Sequence, residues 1–368
     1  MNPFLISGYE SPKYFCDREV ESDELINAID NSRNITLISE RRYGKTSLIN
    51  HVEKLLSGRV IFVYIDLYPT LQLKDFIQLL SGKIFEKLEP FSDKVIRKVS
   101  GFFAALNPKF SFDPETGAPK LELSVNSKYE AEKSISLLFE YIRNSKKKVV
   151  VALDEFQQIL EYPEKNIEAL LRSEIQKDNK TSFIFSGSQT YLLISMFNAY
   201  SRPFYNSTQT INLKRIEQKK YAKFIIQNFK NYDFQIDAEV ANYIYELNNG
   251  VTYNVQYHCH KLFSKQEKVI STKYVANILQ EILKENEIVY FSYRDLLTNF
   301  QYKTVKAFAK EIFVDKPFSN EFISKYNLGS VSSVRTAIKA LSEKGVLINQ
   351  NGVHLSDWYF SLWLKHQP

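Results

Sequence analysis

Ile35-Thr36-Leu37-Ile38-Ser39-Glu40-Arg41-Arg42-Tyr43-Gly44-Lys45-Thr46-Ser47 decides how this chain is read. Its first four residues are a short apolar run, the pattern of a strand buried on both faces. From Gly44 to about Leu56 apolar residues return at helical spacing. The stretch between them, residues 39–46, has the spacing of a phosphate-binding Walker A loop, with Ser39 where the first glycine usually stands. In such a loop, backbone N–H groups and a helix N-terminus point at phosphate oxygens. Gly44 lets the backbone come close, Lys45 supplies positive charge, and the Thr46 hydroxyl is a hard oxygen donor for Mg2+. Gly-Lys-Thr alone is a weak signal, and its strand-before, helix-after context strengthens it. The candidate nucleotide-contacting residues are Glu40, Arg41, Arg42, Tyr43, Gly44, Lys45, Thr46 and Ser47.

Working outward, Val149-Val150-Val151-Ala152-Leu153-Asp154-Glu155 is an apolar strand ending in two carboxylates, the Walker B pattern. Asp154 is suited to hold Mg2+ through water, and Glu155 to polarise an attacking water. An adjacent Asp-Glu pair favours a hydrolase over a simple nucleotide switch, which needs no water-activating carboxylate. Further strands read at 60–66, 182–186 and 208–213, with helical segments between. This alternation predicts a parallel sheet covered on both faces. Ser188 or Gln189, after the strand at 182–186, is a candidate sensor of the γ-phosphate; a helix cap is the alternative. Arg202, on a loop before the last strand, reads either as an arginine finger or as a surface ion pair. Lys45, Glu155 and Arg202 are the catalytic candidates, and Thr46 and Asp154 the metal ligands. His258 and His260 stand two apart on a predicted helix, on different faces, which argues against a metal pair.

Two stretches break the alternation. Residues 110–126 contain Asp113-Pro114-Glu115-Thr116-Gly117, a turn signal between alternating segments, which predicts an inserted β-hairpin. Residues 218–287 have mostly helical spacing, without strands, and predict a small helical unit. The end of the chain predicts helices at 303–311, 319–326 and 331–344. Two short strands then flank Asn349-Gln350-Asn351-Gly352, a hairpin signal. Three helices and a hairpin make a winged helix-turn-helix.

The expected fold class is thus α/β, a P-loop NTPase parallel sheet with an inserted hairpin, a small helical unit and a C-terminal winged helix. The expected domains are 1–215 with the insertion at about 101–127, then 216–290 and 291–368. With 368 residues, the chain is long enough for two or three units. No run approaches the roughly 18 apolar residues of a membrane span. The start, Met1-Asn2-Pro3-Phe4, has no basic-then-apolar leader, and Cys16 and Cys259 stand far apart. A cytoplasmic setting without membrane contact is the expectation. A net charge of +6 permits nucleic-acid contact without arguing for it.

Several motifs in order resemble the AAA-like ATPases of prokaryotes known as the archaeal-type ATPase family, within the STAND-related P-loop groups. Phe15-Cys16-Asp17-Arg18-Glu19 resembles the family's box ahead of the Walker A strand, and the resemblance implies that Phe15, Asp17 and Arg18 border the adenine. Residues 39–46 resemble its arginine-containing phosphate loop, and Leu153-Asp154-Glu155-Phe156-Gln157 its Walker B. Ser186-Gly187-Ser188 and Ser201-Arg202-Pro203 resemble its post-sensor stretch. Ser330-Val331-Ser332-Ser333-Val334 with Ala340-Leu341 resembles its winged helix. Two departures stand out: Ser39 for glycine, and Gly250-Val251-Thr252 where the family's lid often has Gly-x-Pro. The resemblance implies the AAA-like type of P-loop sheet, makes the helical unit a helical lid, and implies ATP, with Mg2+, as the ligand.

Three functions compete at this level. One is an ATPase whose cycle moves the winged helix, the second a DNA-binding regulator that uses ATP as a switch or structural ligand, and the third a scaffold without hydrolysis. Glu155 favours the first over the third. The third winged-helix helix offers Arg335, Lys339 and Lys344 with Ser332, Ser333 and Thr336, few basic groups for a DNA reader. Trp358, Phe360 and Trp363 suit packing or docking. A protein partner or self-association is therefore the expectation for this module, with DNA left open.

Overall fold

The computed structural model describes residues 1–88, 93–112, 119–349 and 352–367. The chain folds as two compact units, Gly8–Lys214 and Met1–Ser7 with Arg215–Pro368.

The first unit is built on five parallel strands. In chain order its strands are β1 (Ile35–Ile38), β2 (Ile61–Asp66), β3 (Lys109–Phe112), β4 (Pro119–Glu122), β5 (Val149–Asp154), β6 (Ser182–Ser186) and β7 (Gln209–Asn212). The main sheet runs in the order β2-β5-β6-β1-β7. β1, β5 and β6 are buried along their whole lengths, as runs such as Val149-Val150-Val151-Ala152-Leu153 require. Helices α1 (Glu19–Asp30), α2 (Lys45–Leu55), α3 (Leu73–Leu88), α4 (Asp93–Phe102), α5 (Lys128–Arg143), α6 (Ile167–Gln176) and α7 (Thr190–Asn198) supply the cover. The expected parallel sheet is therefore present.

The inserted hairpin is present as the antiparallel pair β3–β4, Phe110 standing opposite Leu121. Its predicted turn, Asp113-Pro114-Glu115-Thr116-Gly117, lies outside the described residues. Strand pairing is narrower than the expected 101–127 insertion. The stretch opens in helix, with α4 running to Phe102 and a 3-10 turn at Ala104–Leu106. Burial explains it: Phe102 and Phe103 both meet the ring of Tyr141, and Phe103 is fully enclosed.

The second unit is almost all helix: α8 (Gln218–Lys230), α9 (Ala238–Leu247), α10 (Thr252–Ser264), α11 (Thr272–Glu285), α12 (Glu287–Leu296), α13 (Asn299–Glu311), α14 (Asn320–Lys325), α15 (Val331–Glu343) and α16 (Trp358–Lys365). Its only described strands, β8 (Leu347–Asn349) and β9 (Val353–Leu355), form the wing hairpin, whose tip residues Gln350 and Asn351 lie outside the described residues. Met1–Ser7 belong here, whereas the sequence reading runs the first domain from residue 1. The cause is Phe4, whose buried ring packs against Phe224, Phe229 and Phe263. The helix expected at 303–311 starts four residues earlier, because Thr298 and Gln301 close a capping box. Trp358, Phe360 and Trp363 serve packing. Trp363 and Phe360 are buried against Tyr290, and the Trp358 indole N–H donates to the Leu247 carbonyl.

Candidate nucleotide-binding site

The loop at 39–44 leaves the end of β1 and feeds α2. Gly44 stands at the helix N-cap in the left-handed region, φ 90°, and supplies no side-chain cap. The first-turn N–H groups of α2 therefore lack a capping side chain, the arrangement that suits an anion. Arg42 also takes a positive φ, 70°. Ser39 does not, so the backbone needs no glycine there, and its hydroxyl has a use of its own. Lys45 Nζ donates to the Ser39 carbonyl at 3.2 Å, to Ser39 Oγ at 3.0 Å and to the Glu40 carbonyl at 3.3 Å. The Ser39 carbonyl also accepts from Thr190 Oγ1 at 2.7 Å. Arg41 and Arg42 are exposed, and Tyr43 is buried. Ser47 Oγ faces the Gly8 carbonyl at 3.5 Å.

Sheet order brings the second motif alongside. Asp154 closes β5, in register with Asp66 at the end of β2. Its carboxylate accepts four bonds. Thr46 Oγ1 donates to Oδ2 at 2.8 Å and Tyr64 OH to the same oxygen at 2.9 Å. Ser186 Oγ donates to Oδ1 at 2.6 Å and the Glu155 N–H at 3.1 Å. Thr46 and Asp154, 108 residues apart, thus touch directly. Glu155 follows in the left-handed region, φ 52°. Its Oε2 accepts from the Ser188 N–H at 3.0 Å, from Ser188 Oγ at 2.9 Å, and from the amide of Gln157. A Cβ at Gly187 would lie 1.9 Å from Gln157 Oε1, so a larger residue there would displace the Gln157 amide.

Ser188 therefore bonds the catalytic candidate Glu155. Gln189 takes the N-cap position of α7 without a side-chain cap bond. Phe15 stacks on His51 of α2, centroids 4.3 Å apart, and His51 Nδ1 meets the Tyr9 hydroxyl at 2.8 Å. Asp17 and Arg18 are both left-handed, φ 49° and 85°. Arg18 is buried and pairs with Glu21 at 2.9 Å. Its Nη2 donates to the Tyr43 carbonyl at 3.2 Å, so it braces the loop at 39–44. Arg202 forms an ion pair with Glu168 of α6 at 2.8 Å.

Residues 15–257 match the model of a family described as "ATPase domain predominantly from Archaea". The chain belongs to this ATPase family. Residues 288–366 match a second model, described as "Probable winged helix domain". Among solved structures, a Walker-type ATPase of Pyrococcus abyssi is 17% identical with a TM-score of 0.68, over 99% of each chain. The ORC2 protein of Aeropyrum pernix, solved as ADPNP and ADP complexes, is 14% identical with a TM-score of 0.58, over 98% of this chain and 96% of that one. The ORC1 protein of the same organism, solved with DNA, is 12% identical with a TM-score of 0.52, over 97% and 94%. At these identities the likeness is one of fold. No curated protein matches the chain.

Read as a P-loop ATPase, the site has the donor set for a nucleotide and a divalent cation. Lys45 is only 8% exposed, and among the described residues no carboxylate lies within ion-pair distance of it. Burial lowers its pKa to about 8, against the opposing charges of Asp154 and Glu155. A buried ammonium held only by neutral oxygens suits an anionic ligand. Thr46 and Asp154 offer adjacent hard oxygens. Burial, and then the Asp154 charge, raise the Tyr64 pKa well above the ordinary phenol value, which keeps the phenol a donor. Burial also raises the Asp66 pKa, with Asp154 and Glu155 adding to it. Sequence reading missed Tyr64, Gln157 and His51. Tyr64 sits inside an apolar strand with no spacing signal, and only the β2–β5 register carries it to Asp154.

Proposed function

We propose that this ATPase binds ATP with Mg2+ at the loop 39–47 and hydrolyses it, the cycle acting on the winged-helix module. The observation that carries this reading is the 2.8 Å bond from Thr46 to Asp154 with Glu155 next in the chain. Lys45 and the α2 N-terminus hold the phosphates, and Thr46 and Asp154 would hold Mg2+. When bound there, the ion offsets phosphate charge and orients the terminal phosphate. Glu155 takes a proton from the attacking water. To do so it exchanges its bonds from Ser188 and Gln157 for one from water, and Ser188 is then free to meet the γ-phosphate. Phe15, Asp17 and Arg18 border the base, with Arg18 acting through Tyr43. Arg202 reaches a phosphate only by leaving Glu168, which makes it a finger in another conformation or in a second copy. We place the protein in the cytoplasm. Two facts are consistent with this: both cysteines are free and buried, and no described helix is long and apolar enough to cross a membrane. Residues 216–290 serve as the lid and 291–368 as the output module.

The alternative is a DNA-binding regulator, and the side chains of α15 speak against strong DNA reading. Arg335 lies over the Phe318 ring at 5.2 Å, Lys339 stands 4.0 Å from Glu343, and Lys344 donates to the Leu296 carbonyl. Arg335 and Lys344 thus have partners within the module, and Lys339 stays exposed beside an acidic neighbour. The test is ATP turnover by the purified chain and by Glu155→Gln, with and without duplex DNA. We expect Glu155→Gln to bind ATP at wild-type affinity and to turn it over about a hundredfold or more slowly. Equal turnover in the two proteins removes Glu155 from the chemistry.

A further inference from the structure

The second unit carries a groove that the nucleotide site does not use. It lies along α8 and the start of α9 and encloses about 850 Å3. Lys219, Lys223 and Lys230 line it from α8. Offsets of four and seven residues put the three ammonium groups on one helix face, spread over roughly 16 Å. Ile226 and Ala238 supply apolar surface, and Gln227, Asn231 and Asn242 supply amides. Glu217 is the single carboxylate along the described lining. Among the described residues, none of the three lysines forms an ion pair. Other lysines of the same unit do have carboxylate partners: Lys261 pairs with Glu285, Lys265 with Glu281 and Lys325 with Glu311.

We propose that this groove docks an acidic amphipathic helix of a partner protein. Charge complementarity selects the sign: three uncompensated ammonium groups favour carboxylates that reach them across the rim. The apolar residues select the class of partner. A helix with leucine-like residues at i, i+3, i+4 and i+7 covers Ile226 and Ala238 while its acidic flank meets the lysines. A sugar–phosphate backbone would satisfy the lysines and leave that apolar strip without a partner. The length of the lysine row matches about three turns of such a helix.

The experiment uses the full chain and a labelled helical peptide of about 14 residues, leucines on one face and glutamates beside them, read by fluorescence anisotropy. We expect binding that weakens as salt rises. We expect it to weaken about tenfold or more in Lys223→Glu/Lys230→Glu, and to weaken also in Ile226→Ser. Thermal melting and circular dichroism, measured on both variants, report an intact fold. Absence of binding, equal binding of a peptide with lysines in place of its glutamates, or equal affinity of the charge-reversed variant overturns the proposal. Duplex DNA that displaces the peptide and loses its own affinity in Lys223→Glu/Lys230→Glu assigns the groove to nucleic acid instead. Self-association of the wild type in sedimentation, abolished by the same variant, assigns it to a second copy and equally overturns the partner reading.

Discussion

Lys45 is the residue whose environment says most about the ligand. Its ammonium is buried, its bonds go to carbonyls and one hydroxyl, and burial holds its pKa near 8. Removing it leaves Arg18, which is committed to Glu21 and the Tyr43 carbonyl, as the buried cation at the loop. Lys45→Ala should weaken ATP binding at least about a hundredfold by calorimetry while circular dichroism stays unchanged. An unaltered affinity would place the nucleotide elsewhere. Tyr64 is a subtler case. Its hydroxyl shares Asp154 Oδ2 with Thr46, so a Thr46 hydroxyl recruited to a cation leaves Tyr64 as the remaining side-chain donor to that oxygen. Tyr64→Phe removes this donor with little change of volume. The expected outcome is a rise in the Mg2+ concentration needed for half-maximal ATP binding, by about three- to tenfold, the net contribution of a typical hydrogen bond. A Mg2+ requirement identical to wild type shows that Tyr64 is only a packing residue.

At the scale of elements, short polar residues set where helices begin. Ser127, Asp237, Ser271, Thr298, Ser319, Ser330 and Asp357 each accept a backbone N–H of the first turn they precede. The end of α9 depends on the opposite device. Asn249 and Gly250 are both left-handed, φ 52° and 62°, and the Gly250 N–H returns to the Tyr245 carbonyl at 2.9 Å. A Cβ at Gly250 would lie 2.5 Å from the Tyr245 ring, whose hydroxyl is tied to the Ile216 carbonyl. Gly250→Ala therefore meets both an unfavourable φ and a ring that is held in place. It should destabilise the second unit by about 1–3 kcal/mol in urea unfolding. A midpoint within error of wild type would mean that the turn rearranges freely. This turn stands where the family's lid often has Gly-x-Pro, and here Val251 precedes α10 without a side-chain cap.

At the scale of the whole molecule, stability is tied to pH through a histidine that does no chemistry. His258 is completely buried. Its Nδ1 accepts from Asn248 Nδ2 at 2.9 Å and its Nε2–H donates to the Val275 carbonyl at 3.0 Å. Burial lowers its pKa to about 4, while in the unfolded chain it titrates near 6.5. The folded state thus binds fewer protons between those values. The stability this neutral ring contributes is complete above about pH 6.5 and is lost as pH falls toward 4, a span of about 3 kcal/mol. The urea midpoint should fall over that window, and His258→Gln should flatten the fall. An identical slope in wild type and variant would show that another group carries the dependence. His260, two residues on, bonds the Phe4 carbonyl at 2.8 Å and helps hold the N-terminus to this unit.

What the sequence by itself determined is local. The strand–loop–helix at 35–55, the acidic end of β5, the helical run after Gln218 and the three helices and hairpin of the winged helix all show in spacing over a dozen residues. Backbone periodicity and loop chemistry act over that range, and so they survive without a partner. What only the tertiary structure decided is pairwise and distant. Parallel register puts Tyr64 and Ser186 on Asp154. Packing seats Phe4 in the second unit and turns Trp363 inward. Side-chain reach commits Arg202 to Glu168 and Arg18 to the Tyr43 carbonyl. Each of these depends on two segments meeting across tens of residues, and the position of one segment carries no mark of the other until the sheet and helices have closed around both.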